Sequence, residues 1–277
     1  MRLLLCSISD EASVNIKERL LEKASWSESG SFRGHQVLKH DNDLLVTIEH
    51  IHLYADNIDK AVSDATGFEF ESVVFLSRHK AASGIPTLTV HPIGNFNKAD
   101  YGGRPETLVP SAPDMMTSTL RSLQKGAHGL PFQVSFEVTH HGPYLETPTM
   151  YIEIGSDEKN WVNLEAAQAI ASALIESEVT RAPRAIGIGG GHYAPRFTEV
   201  VVAKKVSFGH MIPNHSIDAA DDETTKKVIL MALGKSAGAK LVYIHRKSMA
   251  RSRATHIKEL VTSLGASVID SSELDEL

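Results

Sequence analysis

Cysteine is almost absent from this 277-residue sequence, where Cys6 stands alone. A lone thiol cannot close an internal disulfide, so the fold must hold without covalent staples and a reducing, cytoplasmic setting is expected. Long apolar runs are missing as well. No stretch approaches the ~18 consecutive apolar residues of a membrane-spanning helix. The first ten residues carry a short apolar run without a signal-peptide cleavage pattern. Acid is missing from one stretch: Thr224 to Lys258 holds nine of the 28 Lys and Arg residues and none of the 34 Asp and Glu residues. With a net charge of −6, a protein that coats nucleic acid with its whole surface is excluded, but one positive face on an acidic body can hold a polyanion locally.

What remains is ordinary globular composition, 42% hydrophobic and 22% charged. Leu3–Ser9 is expected as a buried strand and Asp10–Ala24 as a helix. A polar, Gly- and Ser-containing stretch follows, then a strand over Asp43–His50. Short strands are expected at Val73–Leu76 and Thr87–Val90, a helix over Asp114–Lys125 stopping at Gly126, and strands at Phe132–Val138 and Thr149–Ile154 joined by a turn around Gly142-Pro143. Asn160–Glu178 has the strongest helical spacing, with Leu164, Ala167, Ile170, Ala171 and Leu174 on one face. Ala185–Ile188 reads as a strand, followed by a helix (Asp222–Lys235), a strand (Leu241–His245), a helix (Ser248–Leu264) and a last strand at Val268-Ile269. Alternating strands and helices predict an α/β sheet with helices on its faces, and nothing divides 1–277 into more than one domain.

Two apparent nucleotide motifs fail. Gly234-Lys235-Ser236 lacks the earlier P-loop glycine, since Ile229 stands there, and Gly187-Ile188-Gly189-Gly190-Gly191-His192 has His192 in place of a third fingerprint glycine. The latter run is still unusual. Gly189, Gly190 and Gly191 expose backbone N–H groups after a strand and present His192 and Tyr193 where open α/β sheets bind ligands. Thr139-His140-His141-Gly142-Pro143 ends a strand carrying Glu137, and a turn there can bring both imidazoles to one centre. Zinc takes imidazole and carboxylate donors and leaves a position for water. Lesser candidates are His50-Ile51-His52, which would share a strand face, and Ser77-Arg78-His79 with His91 and Asn95, just beyond two strand ends. Each of these histidines could equally be a buried structural residue or an exposed one. Arg251 and Lys258 on the Ser248–Leu264 helix, with Lys247 one turn before Arg251, would form a stripe without aromatics, suited to phosphates and not to base stacking.

Together these stretches resemble the archaeal and plant type of D-aminoacyl-tRNA deacylase. The resemblance is carried by Ser77-Arg78-His79, Pro86 to Asn95, Phe136 to Pro143 and Gly187 to Phe197, in the family's order, while residues 1–70 match only loosely. It implies a single three-layer α/β/α domain with a mixed sheet, similar to phosphorylases and peptidyl-tRNA hydrolases. It also implies zinc dependence and hydrolysis of the ester of D-aminoacyl-tRNA such as D-tyrosyl-tRNA. On that basis His140, His141 and His192 are expected as metal ligands and His141, His192 and Glu137 as catalytic. Arg78, His79, Asn95, Gly189, Gly190, Gly191, Tyr193, Arg196, Lys247, Arg251 and Lys258 are expected to touch the substrate. No protein partner is called for, so a monomer is expected. A metal-dependent amidase or esterase on a small substrate, a non-catalytic tRNA-binding module and a nucleoside phosphorylase are the competing readings.

Overall fold

In the computed structural model, which describes residues 1–277, local signals in the sequence start most elements. β1 (Arg2–Ser7) leads into α1 (Glu11–Lys23), whose N-cap Asp10 accepts from the Ser13 N–H. β2 (Ser27–Phe32), β3 (His35–His40) and β4 (Asp43–Ile48) follow, then α2 (Ile58–Thr66), β5 (Ser72–Lys80), β6 (Thr87–His91) and a small pair, β7 (Gly94–Asn95) and β8 (Thr107–Leu108). Next come α3 (Pro113–Gly126), which opens on a proline, β9 (Gln133–Phe136), β10 (Thr149–Ser156), α4 (Glu158–Trp161) and α5 (Leu164–Glu176). The chain ends with β11 (Arg184–Ile188), α6 (Pro195–Ala203), β12 (Ser207–Ile212), α7 (Asp222–Gly234), β13 (Leu241–Ile244), α8 (Arg251–Ser263) and β14 (Ser267–Ile269).

Eight strands form one mixed sheet in the order β2-β3-β4-β1-β5-β10-β6-β9, with β4, β1, β5 and β10 parallel and β6 antiparallel to β10. This is the expected α/β architecture with a mixed sheet. One face packs on α1, α3 and α5 through Leu4, Leu76, Ile152, Ile16, Leu120 and Ile170. The other face packs on α2 and surrounding loops through Leu5, Phe75, Tyr151, Ile58 and Val62. A separate parallel sheet, β12-β11-β13-β14, carries α7 and α8 on one side. Its other side supplies Ala185, Phe208, Met211 and Tyr243 to the core of the large sheet.

Several boundaries differ from expectation. The polar stretch after α1 is a hairpin, β2 and β3; only Phe32 and Val37 of its strands are buried, so apolar alternation could not reveal it. The Asn160–Glu178 helix is broken: Asn163 caps a new start by accepting from the Ala166 N–H, and Leu164 lies 55% exposed. β5 runs on to Lys80, so Arg78 and His79 lie within the strand, as does His91 in β6. β9 and β10 are not neighbours, because β6 runs between them. Lys247 lies in a short turn before α8 and not on the helix.

Phe208 is fully buried against Phe197 and Tyr243 and ties the second sheet into the main core. Phe208→Ala is expected to destabilise the protein by about 3–5 kcal/mol, read as a fall in the urea midpoint. A change below about 1 kcal/mol would show that the two sheets do not depend on this contact.

Candidate active site

The period of two in β10 builds the centre. Met150, Ile152 and Ile154 face the apolar core, so Tyr151, Glu153 and Gly155 must face the opposite side. Register sets Tyr151 opposite Phe75 and His91, Glu153 opposite Ser77 and Thr89, and Gly155 opposite His79 and Thr87. A Cβ on Gly155 would lie 2.4 Å from Thr87 Oγ1 and 3.2 Å from His79 Cβ, so the glycine leaves the space that His79 occupies. Just past β9, Glu137 enters the same polar face through a bridge to Tyr193.

The loop after Glu137 is held from three directions. Val138 N–H donates to His192 O (3.0 Å), Thr139 N–H to Met211 O (2.9 Å) and Gly94 N–H to His141 O (2.8 Å). His141 is held at φ 43°, a conformation that non-glycine residues adopt at a cost of about 1–3 kcal/mol. Gly142 packs so closely on the Gly102-Gly103 turn that a Cβ would come within 2.1 Å of Gly103 N. Beneath the loop, buried His210 donates from Nε2 to Val109 O (2.9 Å) and pairs through Nδ1 with Thr139 Oγ1 (3.0 Å).

Two buried carboxylates therefore face a ring of imidazoles. Glu137 Oε2 lies 3.1 Å from His192 Nε2 and 3.5 Å from His140 Nε2, and its Oε1 lies 3.4 Å from His79 Nδ1. Glu153 Oε2 lies 3.5 Å from His79 Nδ1 and 3.6 Å from His91 Nε2. Burial works against Glu153 ionising, but His79 and His91 outweigh it and hold its carboxyl well below the usual range. Burial likewise works against the charged forms of His79 and His91, yet the two glutamates raise both above the ordinary histidine value. His140 and His141 go the other way. Burial, with crowding by neighbouring imidazoles, pushes His140 well below its ordinary value, and burial with His91 pushes His141 down to about 3.

The residues fit a metal ion. His140 Nδ1 donates to Val138 O (2.7 Å), His141 Nδ1 to Gly142 O (2.8 Å) and His91 Nδ1 to Pro92 O (3.2 Å). A carbonyl can only accept, so each imidazole turns its Nε2 toward the centre, where it offers a lone pair once unprotonated, the arrangement metal-binding histidines use. Both Glu137 oxygens, Glu153 Oε2, His79 Nε2 and His91 Nε2 are buried without a hydrogen-bond partner. Such atoms are costly unless a cation satisfies them. Three overlapping trios each bring their donor atoms within 4.8 Å of one another: His91, His140 and His141; His79, Glu137 and His192; and His91, Glu137 and Glu153. The expected set of His140, His141 and His192 is thus divided between the first two, with His91, His79 and Glu137 completing them.

An open cavity of about 550 Å³ lies over the cluster, lined by Asp10, His52, Arg78, His79, His140, His141, Glu153 and His192 among others. Arg78 reaches it and lies over the Trp161 ring at 4.9 Å. Tyr193 packs against His79 and His192. The glycine run is more committed than the sequence suggested. Gly189 N–H donates to Ile212 O and Gly190 N–H to Ser248 Oγ (2.9 Å), which leaves the Gly191 N–H for a ligand. Asn95 spends its amide on Gly102 O and Arg104 O and lines a smaller cavity of about 170 Å³ behind His140 and His141. Arg196 points elsewhere, bonded to Tyr243 Oη (2.6 Å) and Glu199 in a second cavity that also holds Lys247. Arg251 and Lys258 line a further groove with Arg246, which is shared by both.

Sequence reasoning missed Glu153, Tyr151 and Asp10. A carboxylate inside the otherwise apolar run Met150 to Ile154 was the available signal for Glu153. His50 and His52 do not act as a strand pair, because β4 ends at Ile48; His50 is exposed and His52 is buried in a short turn.

The site and the fold define an α/β protein with a buried histidine–carboxylate centre able to hold metal ions. The family model described as D-aminoacyl-tRNA deacylase matches residues 66–269, and the chain belongs to that family. It is 35% identical to the D-aminoacyl-tRNA deacylase of Methanosarcina mazei, over 99% of this chain and 93% of that protein. With the one from Pyrococcus furiosus it is also 35% identical, over 97% and 99%. The relative from Methanococcoides burtonii is 36% identical over 98% of this chain, which spans only 57% of that longer protein. A crystal structure of a conserved protein of unknown function superposes with a TM-score of 0.87 at 32% identity, covering 99% of this chain and 96% of that one.

The proton balance of the histidines fixes a pH dependence. Unfolded, His140, His141 and His210 titrate near 6.5, whereas folding pushes His141 and His210 down to about 3 and His140 well below its ordinary value. Below about pH 6 the unfolded chain thus binds more protons and stability falls with pH. His79 and His91, raised in the fold, are protonated in both states there and add no opposing slope. The denaturation midpoint of metal-free protein is expected to be lower at about pH 5 than at about pH 6, a window below the range in which His79 and His91 act in the opposite direction; an equal or higher midpoint would contradict the burial of neutral histidines.

Proposed function

We propose that this protein hydrolyses the ester joining a D-amino acid, such as D-tyrosine, to the 3′ end of tRNA, with zinc as its metal and residues 1–277 acting as one domain. The observation that carries the reading is the set of overlapping ligand trios that includes Glu137 and Glu153, in a chain of this family. Imidazole and carboxylate donors in this combination suit zinc. Zinc held there supplies a coordinated water with its pKa lowered to ~7 and a Lewis acid for the ester carbonyl.

The chain's own groups do the rest. His192, with 43% of its side chain exposed at the cavity, accepts the water proton or serves as a ligand, and Glu137 at 3.1 Å orients its ring. As water adds to the carbonyl carbon, the ester C–O bond breaks and the proton passes to the ribose oxygen, giving D-amino acid and free tRNA. Neutral His141, held rigidly by the strained loop, keeps its Nε2 unprotonated for the metal at physiological pH. Arg78 lines the cavity and can steady a nearby phosphate, and the Gly191 N–H, next in sequence to the cavity-lining His192, is the candidate donor to the oxyanion. Lys247, Arg246, Arg251 and Lys258, spread along two neighbouring grooves, offer a track for the tRNA backbone. A small-substrate esterase would need no such track.

His141→Ala and His192→Ala are each expected to lower kcat/KM on D-tyrosyl-tRNA by about 10²-fold or more, with zinc content measured alongside. Full activity in both would remove them from the mechanism. Reversing charge at Arg251 and Lys258 together is expected to raise KM and flatten its salt dependence, and an unchanged KM would place tRNA elsewhere.

A further inference from the structure

We infer that Asp10 and His52 form the subsite for the α-ammonium group of the aminoacyl ester, and so help to decide which enantiomer fits. The inference rests on the deacylase reading above. Telling D from L requires contacts to three substituents of one carbon, and a charged amine is best read by an acidic group. Three carboxyl groups border the polar face. Glu137 and Glu153 are spent on the histidines of the metal-competent centre. Asp10 lines the same cavity as His140, His141 and His192, is wholly buried, and has the His52 ring beside it with no lysine or arginine in contact.

Its orientation is fixed. Oδ1 accepts from the Ser13 N–H (3.0 Å) and Oδ2 from the Arg78 N–H (3.0 Å), so the carboxyl is clamped between the start of α1 and β5 with a lone pair left on each oxygen. His52 is 1% exposed; its Nδ1 meets Tyr151 Oη at 3.3 Å, and its Nε2, 3.4 Å from Asp10 Oδ2, has no hydrogen-bond partner. An ammonium reaching Asp10 from the cavity would donate to a carboxylate that no lysine or arginine neutralises. Ile51, Leu53 and Tyr101 on the same cavity are then left for the side chain, and the histidine centre for the carbonyl.

The test compares D-phenylalanyl-tRNA with D-phenyllactyl-tRNA, in which a hydroxyl replaces the amine at almost unchanged shape. Wild-type protein is expected to favour the amine by at least about tenfold in kcat/KM, the size of one charge-assisted hydrogen bond. Asp10→Asn, whose oxygen keeps the helix cap while its NH2 faces the Arg78 N–H, is expected to bring the two substrates within about threefold through a higher KM for the amine; the amine-to-hydroxyl ratio, which a general loss at Arg78 would leave unchanged, is the quantity read, at unchanged zinc content. Binding of the amide-linked, non-hydrolysable adenosine analogues of both acyl groups gives the same comparison without turnover. Equal handling of amine and hydroxyl by wild type, or an undiminished preference in Asp10→Asn, overturns the inference. Hydrolysis of neither ester, with the amine analogue still bound preferentially, would overturn the deacylase reading and leave the subsite standing.

Discussion

Everything in this molecule is arranged around two carboxylates that water cannot reach. Glu137 and Glu153 are 0% and 2% exposed, and neither could be tolerated there alone, since burying an isolated ion costs several kcal/mol even after relaxation. Five imidazoles (His79, His91, His140, His141 and His192) surround them, and the unpartnered oxygens and nitrogens converge on space that a cation can fill. The centre is therefore costly without its counter-charges, and the surrounding fold holds it against relaxation.

That holding comes from sheet geometry first. One strand, β10, gives its apolar alternate residues to the helical layer and its polar ones to the centre, so a single register error would exchange the two. The second sheet then fixes what the first cannot. Met211 and His192 take the backbone N–H groups of Thr139 and Val138, and His210 props Thr139 from below. His140 and His141 consequently sit on a loop clamped by both sheets, and the strain at His141 is sustained by those contacts.

Sequence and structure agreed most where the physics is local. The buried strands, the capped start of α1 at Asp10, the helices α3, α7 and α8, and the strand before the three glycines follow from apolar spacing and capping residues within a few positions of each element. Agreement was weaker where partners are distant. The β2–β3 hairpin has little apolar alternation to show, and the break at Asn163 turns on a side-chain bond to Ala166 N. Glu137, His140, His141 and His192 were visible as two local motifs. That His79 and His91 join them was less so, because they arrive on strands whose neighbours are set by topology.

By itself the sequence determined the class of the chain: an α/β protein with histidine-rich strand ends, one acid-free basic stretch and the motifs of the D-aminoacyl-tRNA deacylase family. Those properties reside in composition and short-range spacing, which survive without knowledge of the fold. Tertiary structure decided how the histidines divide into trios, that Glu153 completes the centre, that Arg196 and Asn95 are spent on other contacts, and that Asp10 faces the cavity. Each of these depends on residues far apart in the chain meeting at contact distance. Strand order and register set such meetings, and no short window of sequence contains them.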